Sequence, residues 1–400
     1  MRILKISQSY YPFLDAGGPP TKIRAIASKL AERGHHVTVL TPDLGLAHCA
    51  IPIQNLERCA WGWRSMDGGV ETIYLRSLVR YRALTLSPDV VGFCRRTLGS
   101  FDLSHLYGLY DLLGPAVASF CSRRNVPYVL EPMGMFRPIV RSLRLKRLYH
   151  QVFGNRVVRG ARFLIATSEK EKQEFIAGGI PESRIFLRRN GIDAPASSPD
   201  RGRFRQRWGI SENAKLILFL GRLVAKKSPD MLIEAFARWQ EKAGRETPAI
   251  LALAGPEEEA SYLRELKVLS GRLHLDGKVL FTGPLYDDAK WSAYRDADVF
   301  VLPSQHENFG NTAAESAACG TPVIVTEECG IGPILKGRAG VVVPHSVAAL
   351  EEALSSLASN SGVRDAYREG CAAVTRELSW DEPIAQMESL YARCIAEAAA

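Results

Sequence analysis

The opening stretch MRILKISQSYYPFLDAGGPPTKIRAIASKLAERGHHVTVLT (1–41) holds a complete strand–loop–helix–strand unit. MRILKIS has the alternation of a strand, and QSYYPFLDAGG reads as a loop. From Pro20 the apolar residues Ile23, Ile26, Ala27 and Leu30 recur at i, i+3, i+4 and i+7, one face of a helix that Gly34 ends. HVTVLT follows as the second strand. Strands joined through a helix run parallel, because a tight turn joins only antiparallel ones. The unit predicts a wound α/β sheet whose ligand crevice lies at the carboxyl ends of the strands, where Gly17 and Gly18 fall.

Outward from this unit, VETIYL (70–75), DLSHLY (102–107), PYVLE (127–131) and FLIATS (163–168) read as further strands, so residues 1–193 form one domain. NGIDAPASSPDRG (190–202) is polar and rich in turn formers, as a linker is. The pattern then restarts with AKLILFLG (214–221), AILALAG (249–255), KVLFTG (278–283), DVFVLPS (298–304) and TPVIVT (321–326), which makes 194–379 a second wound domain. Ser228-Pro229-Asp230 is expected to cap the helix MLIEAFARW. Residues 380–400 have the length and amphipathicity of a closing helix.

Composition bounds the function. The chain has 400 residues, 46% of them hydrophobic, which excludes a single small domain. No apolar run reaches the ~18 residues of a membrane span and no signal-peptide core follows the first strand, so a soluble, cytoplasmic chain is expected. The eight cysteines are scattered without C-x-x-C or zinc spacing, which predicts reduced core thiols. Charge is uneven: residues 1–193 carry 28 Lys and Arg against 15 Asp and Glu, net +13, and the remainder carries 23 against 28, net −5. RPIVRSLRLKRLYHQVFGNRVVRGAR (137–162) alone supplies eight basic residues and no acid, with apolar residues at roughly helical spacing. It suggests an anionic surface or acceptor. Nucleic acid is not expected as a partner, since no nucleic-acid-binding motif accompanies the charge.

Two segments carry the chemistry. In ENFGNTAAE (307–315) Glu307 lies in the loop after a strand and Glu315 lies one turn into a helix. Between them Asn308, Phe309, Gly310, Asn311 and Thr312 form a helix amino-terminus, which attracts an anion such as phosphate. Carboxylates repel phosphate, so the two glutamates should address hydroxyl groups on either side of it, a sugar and a ribose. FLGRLVAKKSPD (219–230) adds Arg222 and Lys227 at another strand end, where they can neutralise a diphosphate leaving group.

On these residues the chain resembles the family-4 retaining glycosyltransferases over nearly its whole length. The most specific sign is the E-x7-E pattern of Glu307 and Glu315. SQSYYPFLDAGGPP resembles the family's glycine-rich loop, EPMGMFRP its RGM segment, TSEKE and RRNGID its approaches to the linker, and AGVVVP its late strand. The resemblance implies the GT-B fold, two facing Rossmann-like domains with an interdomain cleft. It implies that Glu307 binds the donor sugar's hydroxyls, Glu315 the ribose, and Arg222 with Lys227 the diphosphate, while Gly17 and Gly18 close over the phosphates. Many relatives carry H-x-H where SHLYGLY stands here, so His105 and Tyr107 are the candidates to line the donor site at that strand end. Met133 departs from the arginine often found there. Asp296-x-Asp298 resembles a metal-binding D-x-D but precedes its strand, at the wrong end for a site, so no metal and no cofactor are expected.

The implied reaction is retaining transfer of a sugar from a nucleotide-diphosphate-sugar to a lipid-linked or glycan acceptor, in bacterial surface polysaccharide biosynthesis on the inner face of the cell membrane. A nicotinamide oxidoreductase fits poorly, because DAGGPP lacks the third glycine of G-x-G-x-x-G. A sugar-nucleotide epimerase, a phosphorylase and a non-catalytic nucleotide-sugar-binding subunit share the scaffold and stand as alternatives.

Overall fold

The computed structural model describes residues 1–13, 18–44, 46, 53–81, 84–137, 143–193, 199–244, 248–257 and 260–399. They divide into two compact units, one of Met1–Arg189 with Trp380–Ala400 and one of Asn190–Ser379.

In the first unit the chain runs β1 (Arg2–Ser7), α1 (Gly18–Glu32), β2 (His36–Pro42), β3 (Glu57–Cys59), β4 (Gly62–Asp67), β5 (Val70–Leu75), β6 (Val79–Tyr81), β7 (Leu84–Leu86), α2 (Asp89–Thr97), β8 (Leu103–Tyr107), α3 (Leu113–Arg124), β9 (Tyr128–Glu131), α4 (Leu143–Tyr149), α5 (Asn155–Gly160), β10 (Phe163–Ala166), α6 (Glu169–Ala177) and β11 (Ile185–Leu187). Nine of these strands form one sheet in the order β11-β10-β9-β8-β1-β2-β5-β4-β3. It is parallel from β11 to β5, and β4 and β3 finish it antiparallel. Among the described residues β6 and β7 pair only with each other. The inner parallel strands β2, β9 and β10 are buried on both faces, which is why they read as apolar runs.

The second unit adds α7 (Arg203–Trp208), β12 (Lys215–Leu220), α8 (Pro229–Ala243), β13 (Ala249–Ala254), α9 (Ala260–Arg272), β14 (Val279–Gly283), α10 (Asp287–Asp296), β15 (Val299–Leu302), α11 (Asn311–Ala318), β16 (Val323–Thr326), α12 (Gly332–Leu335), β17 (Gly340–Val343), α13 (Val347–Ser359) and α14 (Ser361–Glu377). Its sheet is all parallel, in the order β14-β13-β12-β15-β16-β17. The order reverses at β12, which lies between β13 and β15, so the crevice of this unit opens at the carboxyl ends of β12 and β15.

The last helix, α15 (Asp381–Ala399), returns to the first unit. Trp380, Ile384, Met387, Tyr391 and Cys394, spaced as one helical face, are buried with Ile3, Val37 and Val39 of the first sheet. Arg33 and His35 bind Glu388 at 2.7 and 2.8 Å, and Arg162 binds Glu397 at 2.9 Å.

One expectation changes in the structure. Ser228 occupies the position before α8 and Pro229 opens the helix, but Ser228 has a φ of 50° and its side chain caps no amide. Its hydroxyl instead meets His345 Nε2 at 2.9 Å. The D-x-D carboxylates hold the second unit together. Asp296 accepts the amides of Gly202, Phe204 and Arg205 at 2.6, 2.7 and 3.1 Å, and so caps α7 from a distant helix end. Asp298 accepts the Leu216 amide at 2.9 Å and Arg205 Nη2 at 3.0 Å. Among the described residues no group of three or more His, Cys, Asp or Glu is arranged to hold a metal, and no helix is long and apolar enough to cross a membrane.

Candidate active site

In the second unit the loops after β12, β13, β15 and β16 are stitched together backbone to backbone. Gly221 donates to the Ala254 carbonyl, Leu223 to Pro256, and Gln305 to Lys226, each at 2.9 Å. Gly255 has a φ of 147°, and a Cβ there would lie 1.9 Å from the Gly221 oxygen, so only glycine permits the approach of the β12 and β13 loops. Farther along, the Glu307 amide donates to Glu328 at 3.0 Å, Gly330 to Glu307 at 2.9 Å, and Ile331 to Phe309 at 2.7 Å. Phe309 is buried and anchors this loop. Gly310, at a φ of 104°, takes the turn into α11, and a Cβ there would meet Cys329 Sγ at 2.6 Å. It stands at the amino-terminal cap of α11 and, having no side chain, caps none of the first-turn amides.

The side chains around this helix start are oppositely charged and close. Glu307 forms an ion pair with Lys227, which lies on the turn after β12. Burial pushes the Glu307 carboxyl up, but the charge and hydrogen bond of Lys227, helped by Lys226 and His306, outweigh it and hold the group below its ordinary range. Glu315 accepts a hydrogen bond from Lys290 Nζ at 2.9 Å and one from the Tyr294 hydroxyl at 2.9 Å. Burial, and secondly the Glu315 charge, push the Tyr294 phenol well above its ordinary value, so it stays a donor. Asn311 Oδ1 accepts from Asn190 Nδ2 at 3.0 Å, while Arg222, Asn308, Asn311 and Thr312 are all half-buried.

Glu307, Lys227, Arg222, the 308–312 turn and Glu315 are thus brought to the carboxyl ends of β12 and β15 and the start of α11. Lys290 and Tyr294 were not read from the sequence. They lie four residues apart on α10, one face of a helix, but only the packing of α10 beside α11 shows that this face meets Glu315.

The candidates of the first unit fare differently. Gly17 lies outside the described residues, and Gly18 is the exposed first residue of α1, at the carboxyl side of β1. His105 and Tyr107 do not line a site. They share one side of β8, as their i and i+2 spacing requires, but that side is covered by α15. His105 is fully buried, stacks on Tyr107 at 3.9 Å and meets the Tyr391 hydroxyl through Nδ1 at 2.6 Å. Lys5 donates to the hydroxyls of Tyr107 and Tyr391 at 2.8 and 3.3 Å. Beside them Glu131 binds Lys22 and accepts from Arg188 at 3.1 Å, with all of these groups buried. The positions form a buried ionic cluster that ties α1 and α15 to the sheet.

Family models match both units: a glycosyl transferase 4-like domain over residues 17–191 and the glycosyl transferases group 1 over residues 200–372. The chain belongs to the family-4 type of glycosyltransferases. This glycosyltransferase is 28% identical over 393 residues, 95% of its length and 92% of the relative's, to a D-inositol 3-phosphate glycosyltransferase of Xylanimonas cellulosilytica. It is 27% identical, over 98% of its length and 96% of the relative's, to the protein of that name from Corynebacterium jeikeium. Its fold is the GT-B fold of solved glycosyltransferases. Anabaena HepE, solved in complex with UDP and glucose, matches with a TM-score of 0.76 at 20% identity, over 98% of this chain and 100% of that one. WaaG, a glycosyltransferase involved in lipopolysaccharide biosynthesis, matches at 0.68 and 20% identity over 97% and 98%.

Proposed function

We propose that this glycosyltransferase moves a sugar from a nucleoside-diphosphate sugar to a lipid-linked or glycan acceptor with retention of anomeric configuration. The observation that carries the reading is the pairing of Glu307 with Lys227 and of Glu315 with Lys290 and Tyr294 on either side of the α11 start. Arg222, Lys227 and the α11 amides would take the charge that develops on the phosphate as the anomeric bond breaks. Glu307 would hold the sugar hydroxyls and Glu315 the ribose. The acceptor oxygen attacks the anomeric carbon from the face the phosphate leaves, and the acceptor proton passes to a phosphate oxygen. No metal has a step on this reading, and His105 is withdrawn from it.

For the acceptor, the acid-free segment 137–162 supports an anionic partner such as a membrane surface bearing a lipid-linked glycan of a surface polysaccharide. A second reading, a phosphorylated cyclic alcohol, is favoured by the name of the relatives matched over nearly their whole length, D-inositol 3-phosphate glycosyltransferase. Radiolabelled donor offered to each acceptor class separates the two.

Two results test the donor. UDP, GDP or ADP at about a hundred times its Kd is expected to raise Tm by about 5–10 °C, and NAD is expected to leave it unchanged. A shift with NAD alone would overturn the reading. Glu315→Ala is expected to weaken the same nucleotide by about 1–3 kcal/mol, since ribose hydroxyls then lose their acceptor and Lys290 and Tyr294 lose theirs. Isothermal titration that finds an unchanged Kd in a folded Glu315→Ala variant removes this residue from the site.

A further inference from the structure

Exposed apolar side chains of the first unit gather most densely in two places, each tethered at the carboxyl edge of its sheet. One is the β6–β7 hairpin, where Leu78, Val79 and Leu86 are 69%, 60% and 47% exposed. The other is α4 with the π-helical turn His150–Gly154 that follows it, where Leu143, Leu145, Leu148, Val152 and Phe153 are 39–56% exposed. Together they hold more than half of the large apolar side chains left exposed among the described residues. Scattered exposed leucines need no explanation, but two clusters of them do.

Topology tethers the two clusters to neighbouring loops. Gln8, just past β1, donates to Thr85 of the hairpin at 2.7 Å. Tyr149 of α4 donates to the Asp111 carbonyl at 2.9 Å, and Tyr110 meets His150 at 2.9 Å, in the loop just past β8. β1 and β8 are parallel neighbours with Ser7 opposite Tyr107. The hairpin and α4 are therefore held by adjacent loops at the carboxyl edge.

The charge decides the occupant. Residues 78–86 contain two arginines and no acid, and 137–162 contain eight basic residues and no acid. A second copy of this chain docked on the same face would set like charge against like charge. A surface of anionic lipid matches both properties at once, the apolar tips entering the acyl boundary while the basic residues meet the headgroups.

We propose that the β6–β7 hairpin and the α4 segment are two prongs of one docking surface for anionic lipid. The proposal rests on the reading of the acceptor as membrane-borne, and it assigns to the hairpin a role of holding the carboxyl edge of the first sheet against the bilayer.

The test uses the full chain and sedimentation with vesicles of phosphatidylcholine alone or with phosphatidylglycerol added. The unaltered chain is expected to bind the anionic vesicles, more weakly at high salt, and to bind the neutral ones poorly. The pairs Leu78→Ser with Val79→Ser, and Leu145→Ser with Leu148→Ser, are each expected to lower anionic-vesicle binding about tenfold, since each removes apolar area of the order of one buried leucine. These side chains are exposed, so the thermal shift with nucleoside diphosphate should persist in both pairs. Hairpin variants that bind like the unaltered chain overturn the two-prong surface, and so does a concentration-dependent dimer that the same substitutions abolish. Loss of vesicle binding with the nucleotide shift intact bears on this surface alone, whereas absence of the nucleotide shift in the unaltered chain overturns the donor reading beneath it.

Discussion

Glu307→Gln is expected to lower turnover about 100- to 1000-fold, the loss expected when the group that positions the reacting sugar is weakened, while nucleoside diphosphate binds at least as tightly as before. The asymmetry follows from the ion pair. Without ligand the Lys227 ammonium is held by the Glu307 carboxylate, and a diphosphate must compete for it. Glutamine keeps the size of the side chain and removes the charge, so Lys227 is released to the phosphate and a nearby negative charge disappears. The donor sugar then keeps only an uncharged amide oxygen as acceptor and faces an NH2 donor where the second carboxylate oxygen stood, so its hydroxyls are held weakly and the reacting carbon is poorly placed. The loop itself does not depend on this carboxylate, because its shape is fixed by backbone bonds from Glu307 to Glu328 and from Gly330 to Glu307. The melting temperature should therefore hold. Titration of UDP alongside single-turnover rates decides the matter: a variant that loses nucleotide affinity and melting temperature together would make Glu307 a structural residue, and an unchanged rate would remove it from the site.

Glu131→Gln is expected to cost about 3–5 kcal/mol and to lower Tm by about 10 °C, because it takes from a buried cluster the carboxylate that binds both Lys22 and Arg188. Burial pushes this carboxyl up, but Arg188 and Lys22 outweigh it and hold it far below the carboxylate range. In the same cluster burial pushes the His105 imidazole down from 6.5 to about 3. Between those values the unfolded chain binds a proton that the folded chain refuses. Stability contributed by this group is complete above pH 6.5 and falls toward pH 3, by at most about 1.4 kcal/mol per pH unit. Asp111, raised by burial to about 6, acts in the opposite sense between about pH 6 and 4. The difference between the unaltered chain and His105→Gln isolates the histidine: from pH 7 to 4 the Tm of the unaltered chain should fall relative to that of the variant, and parallel curves would show that His105 carries no such linkage. A histidine whose charged form is this disfavoured and which faces Tyr391 is a poor proton carrier at neutral pH, the electrostatic counterpart of its burial beneath α15.

The sequence by itself determined what local patterns encode. Buried parallel strands read as apolar runs and crossover helices as 3.6-residue stripes, so the repeated wind of both units was legible, as was the helix start at Gly310 with a glutamate before and after it. Carboxyl ends of strands follow from that reading, and with them Arg222, Lys227, Glu307 and Glu315. Tertiary structure alone decided which faces met. His105 and Tyr107 had the right position on their strand, but Tyr391, 286 residues away, closes that side. Lys290 and Tyr294 became partners of Glu315 because α10 packs beside α11, and Asp296 became a helix cap because α7 reaches it. α15 joined a unit that the chain had left at Arg189. The physical reason is the same in each case: periodicity fixes which side chains share a face of their own element, whereas the partner covering that face is set by packing between segments far apart in the chain, and no local pattern carries that information.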